Sequence, residues 1–292
     1  LHLRGPGLAA CAGGLVGRAA SGRPVPMTAP IMSGAEPWSA PGGPDGALVL
    51  HGFTGNPQSM RGLAEALAGA GFAVELPLLP GHGTSIEDMV PTGWKDWSTA
   101  AEDVYADLAA RTRRVIVAGL SMGGTLAVSL ATRHLAIAGV VVINPFIEPP
   151  AESFRELLRA TLDGGTETMP GIGSDIALEG VEELAYAGSP VAPMLSMMEA
   201  TDTIAANLGR IRCPVLLFSS RQDHVVPSAS GDVLAAGVGG PIERIWLERS
   251  YHVATLDHDR GLIEARAVEF AASVTGEGPS TAGPGGRRID AK

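Results

Sequence analysis

The residues Gly119-Leu120-Ser121-Met122-Gly123 hold a hydroxyl between two glycines, directly after the apolar run "RVIVAGL" and before the helix-like "MGGTLAVSLATRH". A serine at a sharp strand-to-helix turn is forced into strained backbone geometry, and glycines two positions to either side let neighbouring chain approach. The hydroxyl then stands above a sheet edge at a helix N-terminus, whose dipole favours developing negative charge. An ordinary Gly/Ser turn is the plain alternative. The two readings separate on whether Ser121 has partners, because a hydroxyl becomes a useful nucleophile only when a base takes its proton.

In an α/β sheet with this turn, the partners follow in the order acid, then histidine. Asp223 in "LLFSSRQDHVVP" lies just after a buried apolar run, and His252 in "IWLERSYHVATLDHD" lies just after the next. Most of the other histidines fail on position. His2 is near the start, His134 ends a helix, His82 precedes Ser121, His258 is expected to begin the last helix, and His224 points away if Asp223 points in. Asp232, Glu243 and Glu248 fall inside a helix or strand, and Asp257 reads as a cap for the last helix. Asp223 would orient the imidazole of His252 and stabilise its cation without being protonated itself. An oxyanion would need two backbone donors: the amide of Met122, following the serine, and that of Phe53 in "HGFTGNPQS" after an early strand.

The elements that must position these groups are legible as a rhythm. "ALVLHGF" (47–53), "FAVELPLL", "RVIVAGL", "IAGVVVIN", "PVLLFSS" and "PIERIWLE" are short apolar runs, separated by amphipathic stretches such as "PQSMRGLAEALAGAG", "WKDWSTAAEDVYADLAART" and "GLIEARAVEFAASV". Runs without strict alternation imply strands buried on both faces, hence a doubly wound, mostly parallel α/β sheet. Reactive groups in such sheets sit at the carboxyl ends of strands. The rhythm breaks at 146–208, where "SFRELLRATLDGG" and "APMLSMMEATDTIAANL" read as helices and nothing reads as a strand. This stretch is expected to be a helical lid inserted into a core of 34–145 and 209–275. Met194, Met197 and Met198 suit an adaptable acyl-chain groove, although packing of the lid onto the body would use the same residues.

Composition narrows the classes of partner. Lys and Arg total 21 against 31 Asp and Glu, a net charge of −10 with no basic run, which argues against nucleic acid. No stretch has the roughly 18 consecutive apolar residues of a spanning helix. No His/Cys cluster has zinc spacing, and no cofactor or metal is expected. Cys11 and Cys213 share no motif. Residues 1–33 and 276–292 read as a disordered leader and tail. "LAAC" near the start resembles a lipoprotein cleavage box, but only seven residues precede it, too few for a signal core. With Met27 or Met32 as alternative starts, the expected setting is cytoplasmic.

"HGFTG-PQSMR-LAEA", "GHGT-EDM", "GLSMGGTL", "IGSD", "ELAY", "DHVVP" and "SYHVATLD" together resemble the α/β-hydrolase superfamily, and within it the bacterial monoacylglycerol lipases and their carboxylesterase relatives. The resemblance spans roughly 34–272. It implies Ser121, Asp223 and His252 as a triad, Phe53 and Met122 as oxyanion donors, and cleavage of a lipid ester to a free fatty acid, with transient lipid-surface contact through the lid. It adds Glu183 of "EELAY" as a lid carboxylate that bonds the glycerol moiety; the residues alone would make Glu183 a solvated helix position. Three rivals stand beside this reading: a general short-chain carboxylesterase, a lidded serine peptidase, and a non-catalytic binding protein on the same scaffold.

Overall fold

A computed structural model describes residues 28–171 and 173–276. The strands are β1 (Trp38–Ala40), β2 (Asp45–Leu50), β3 (Ala73–Leu76), β4 (Arg114–Leu120), β5 (Ile137–Ile143), β6 (Thr168–Pro170), β7 (Gly188–Pro190), β8 (Val215–Ser220) and β9 (Ile242–Leu247). The helices are α1 (Arg61–Gly69), α2 (Ile86–Met89), α3 (Trp94–Arg111), α4 (Met122–Arg133), α5 (Glu152–Asp163), α6 (Val191–Asn207), α7 (Ala229–Gly237) and α8 (Arg260–Thr275). Seven strands form the main sheet in the order β1-β3-β2-β4-β5-β8-β9. All its pairings are parallel except that of the edge strand β1 with β3.

Both faces of the sheet are covered, as the unbroken apolar runs require. On β2, Leu48 and Leu50 pack with Trp97 and Leu108 of α3 and Leu126 and Leu130 of α4. Ala47 and Val49 point the other way, to Leu63 and Leu67 of α1 and Ile263 and Ala267 of α8. Cys213 is partly buried against the first layer, and burial pushes its thiol up to about 11.

The segment between β5 and β8 departs from the expectation of helices alone. β6 and β7 form a two-stranded antiparallel ladder, Met169 opposite Ser189. At three residues each, these strands are too short for any alternation to show. The helix α6 packs on α3, α4 and α7 and ties the segment to the body. Met197 is buried in the core layer beneath α6, while Met198 joins Leu158, Val191 and Leu195 in a cluster between α5 and α6, with Met194 at its margin.

The start of the described chain also departs from expectation. Residues 28–33 are bonded to the body: Thr28 N donates to Asp88 Oδ1 at 2.9 Å, Ala29 N to Asp88 Oδ2 at 3.1 Å, and Met32 N to Gly83 O at 2.8 Å. The expectations for residues 1–27, Cys11 included, and for 277–292 lie outside the described residues. Among the described residues, no helix is long and apolar enough to cross a membrane.

Candidate active site

Four strand-ending loops converge at the carboxyl edge of the sheet. Gly52, Phe53 and Thr54 follow β2, Ser121 follows β4, Asp223 follows β8, and His252 follows β9. Gly52, Phe53, Thr54, Leu120, Ser121, His252 and Val253 line one crevice, closed from the inserted segment by Gly173 and Glu183. Its free volume is about 30 Å³.

Ser121 adopts φ 53°, ψ −118°, in the left-handed half of backbone space. For a residue with a Cβ this costs on the order of 1–3 kcal/mol and persists only where surrounding structure enforces it. The enforcement is visible: Ser121 N donates to Ile143 O at 2.9 Å, and Thr125 N returns a bond to Ser121 O at 3.0 Å. The two flanking glycines carry the expected close approaches. A Cβ on Gly123 would lie 2.1 Å from Leu50 O, and one on Gly119 would lie 2.2 Å from Gly123 C. Thr54 on the facing loop is strained in the same way, at φ 60°. Met122 is the first residue of α4, so its amide has no acceptor within the helix.

His252 Nδ1 lies 2.8 Å from Asp223 Oδ2, with side chains only 8% and 3% exposed. The second carboxylate oxygen of Asp223 accepts the amides of Val225 at 2.8 Å and Val226 at 2.7 Å, which fixes the carboxylate toward the imidazole. With Nδ1–H committed to Asp223, Nε2 is left as the ring's acceptor. The rival acids are occupied elsewhere: Asp232 bonds Arg244, Glu243 bonds Arg266 at 2.7 Å, and Glu248 bonds Arg221 at 3.2 Å. His224 turns away from the crevice, as expected.

Glu183 is placed in the crevice wall. A Cβ on Gly55 would lie 2.6 Å from its Oε1, so any larger residue at 55 would push this carboxylate from its present position. Burial raises the Glu183 carboxyl above its ordinary range, while the Ser59 hydroxyl, and His252 whenever it carries a proton on both nitrogens, pull it down. The three methionines, all on α6, do not line the crevice; Met197 packs into the core layer, and Met198 and Met194 pack in the cluster between α5 and α6.

Two groups have roles that spacing did not reveal. Asp257, expected as a helix cap, is fully buried; α8 begins later, at Arg260, with Asp259 at the cap position, so His258 precedes the helix. Asp257 instead accepts the amides of Ala177, Leu178, Tyr251 and His258 at 2.7–3.0 Å. His51, in the loop after β2, is buried with Nδ1 on Gly52 O at 3.0 Å and Nε2 accepting Leu79 N at 3.1 Å. Burial lowers its pKa to about 4, and His82, 5.0 Å away ring to ring, is lowered for the same reason. Among the described residues, no group of three or more His, Cys, Asp or Glu is arranged to hold a metal ion.

The chain is 45% identical over 251 residues to a thermostable monoacylglycerol lipase of Bacillus sp. (strain H-257), covering 85% of this chain and 98% of that one. It is 28% identical over 238 residues to a carboxylesterase of Bacillus subtilis (strain 168), covering 80% and 95%. A solved structure from work on LipS and LipT, two metagenome-derived lipolytic enzymes, superposes with a TM-score of 0.80 at 40% identity, covering 84% of this chain and all of that one. Residues 47–265 match the model of the alpha/beta hydrolase family, and to that family this chain belongs.

Proposed function

We propose that this chain is a serine hydrolase of carboxylic esters whose preferred substrates are monoacylglycerols. The observation that carries the reading is the shared crevice of Ser121 and His252, with the imidazole held by Asp223 from behind. The 45% identical relative supports the choice of substrate class.

Ser121 Oγ attacks the ester carbonyl as His252 Nε2 takes its proton. The carbonyl oxygen becomes an oxyanion held by the amides of Phe53 and Met122. Collapse of this intermediate expels the glycerol oxygen, which His252 protonates, leaving an acyl ester on Ser121. Water, deprotonated by His252, attacks that ester through a second oxyanion, and the fatty acid leaves as Ser121 regains its proton. Asp223 holds the Nδ1–H tautomer and stabilises the imidazolium. Glu183 receives a glycerol hydroxyl at the crevice wall. Segment 146–208 acts as the lid, and Phe154 and Leu157 on α5, 40% and 57% exposed, support its contact with a lipid surface.

Ser121→Ala should abolish hydrolysis of p-nitrophenyl esters with the fold intact, and retained turnover would sink the assignment. Substrate class is decided by kcat/KM over monoacylglycerols of several chain lengths against short alkyl esters, with di- and triacylglycerols as controls. Equal values for short alkyl esters would make the chain a general carboxylesterase. Glu183→Ala should raise KM for monoacylglycerols about tenfold, the worth of one charge-assisted hydrogen bond, and spare p-nitrophenyl butyrate.

A further inference from the structure

Asp175 belongs to the inserted segment, 77 residues before His252 in sequence, yet its carboxylate reaches both loops that carry the acid and the base. Asp175 Oδ2 accepts the backbone amide of His252 at 3.0 Å and that of His224 at 3.2 Å. Oδ1 pairs with His224 Nδ1 at 2.8 Å. The Asp175 side chain is 13% exposed and its bond to the His252 amide is part-buried, whereas the His224 side chain stands 59% exposed. Its own carbonyl accepts Val253 N at 3.1 Å.

The two amides joined at Oδ2 belong to His252 and to the residue directly after Asp223. One oxygen atom therefore sets the separation of the two backbones whose side chains meet at His252 Nδ1 and Asp223 Oδ2. The opposite end of the His252 peptide is held from the body: Asn144 Nδ2 donates to His252 O at 2.8 Å and to Ser220 Oγ at 2.9 Å, from a backbone at φ 44°. Without the Asp175 carboxylate, the His252 peptide keeps the Asn144 bond at its carbonyl and the neighbouring Val253 amide keeps the Asp175 carbonyl, while two amides at the acid–base junction lose a charged acceptor.

We propose that Asp175 is a positioning residue for proton transfer, fixing the Asp223–His252 pair, so that the inserted segment completes the reacting apparatus as well as covering it. The inference rests on the ester-hydrolase reading. It acts on kcat, because both acylation and deacylation pass through His252, and it has no reason to act on substrate binding.

The test uses the full chain and p-nitrophenyl butyrate. Asp175→Ala should lower kcat about tenfold to a hundredfold, the scale expected of an ångström-sized misplacement, with KM within about twofold. Phosphonylation of Ser121 by a p-nitrophenyl phosphonate should slow by the same factor. The low-field proton resonance of His252 Nδ1–H should broaden or vanish, which a loss of global stability alone does not cause in the folded protein. Asp175→Asn keeps an oxygen for the two amides and should hold kcat within about threefold, and His224→Ala, which leaves both amide bonds in place, should do the same. A folded Asp175→Ala protein with kcat within threefold of the parent, or with its loss confined to KM, overturns the proposal. If Asp175→Ala does not fold, Asp175→Asn decides: a folded protein more than tenfold slower overturns it, and near-parental kcat with the resonance retained supports it. Parental turnover and labelling at Ser121 are read in the same experiment, so failure of the hydrolase reading is seen separately from failure of the Asp175 proposal.

Discussion

Asp223 divides its carboxylate between two tasks: Oδ1 accepts the amides of Val225 and Val226, and Oδ2 meets His252 Nδ1 at 2.8 Å. The first task aims the second. Asp223→Asn can keep the loop bonds through its amide oxygen while turning an NH₂ toward the imidazole, which selects the wrong tautomer. The expected result is a fall in kcat of about a thousandfold to ten-thousandfold with little change in KM. Steady-state kinetics on p-nitrophenyl butyrate would show it, and near-parental turnover would remove Asp223 from the mechanism.

Gly123 and Gly69 offer a paired test of close packing. A Cβ on Gly123 would meet Leu50 O at 2.1 Å and His51 O at 2.6 Å, backbone atoms that cannot swing aside, whereas nothing lies within 4 Å of one on Gly69. Gly123→Ala should cost at least about 2 kcal/mol and displace the β2 loop, with loss of activity. Gly69→Ala, at the end of α1, should be neutral or stabilising by up to about 1 kcal/mol. Urea midpoints of the two variants, measured side by side, separate these outcomes.

Asp257 carries a stability prediction that depends on its observed role. As a simple helix cap, its replacement by Ala would cost about 1 kcal/mol. With four amides losing their acceptor at a fully buried site, the cost should be about 3 kcal/mol or more. Equilibrium unfolding of Asp257→Ala distinguishes the two values, and limited proteolysis near Ala177 should become faster as the segment loosens.

Acid should weaken the fold through His51. Its pKa falls from 6.5 to about 4 on burial, so below 6.5 the unfolded chain binds a proton that the folded chain refuses. Stability from this group is complete above about pH 6.5 and declines as pH drops toward 4, by about 3 kcal/mol in all. His82 shifts in the same direction and adds to the trend. His51→Gln, which can keep both the Leu79 and Gly52 contacts, should show a smaller loss of urea midpoint between pH 7 and pH 4.5 than the parent. An identical loss in both proteins would assign the acid sensitivity to other groups.

Much of this was readable from local sequence. Ser121, Asp223 and His252 each follow an apolar run, and parallel strands deliver their following loops to one edge, so strand order alone brings the three together. Six strands of the main sheet coincide with those apolar runs; β1, with three residues, is too short to show a pattern, and the order of the strands is not written in the runs. What escaped were contacts between a side chain and a distant backbone. Asp175 to His252 and Asp257 to Ala177 bridge 77 and 80 residues, and no periodicity or spacing reports such a bond. Spacing points Asp257 to a cap because an acid just before a helix fits that role equally well. The methionines of α6 could not be assigned from composition, since a thioether suits a packed interface and an acyl groove alike.

The bonds of Asp175 and Asp257 also bear on how this architecture can be recombined. A segment joined to its body only at its two ends could be exchanged between relatives as a cassette. Here the middle of the segment, at 175–178, is stitched to the loops after β8 and β9. A chimera that imports a foreign 146–208 must therefore import matching 221–228 and 248–259 loops with it, and one that does not will lose turnover before it meets a new substrate.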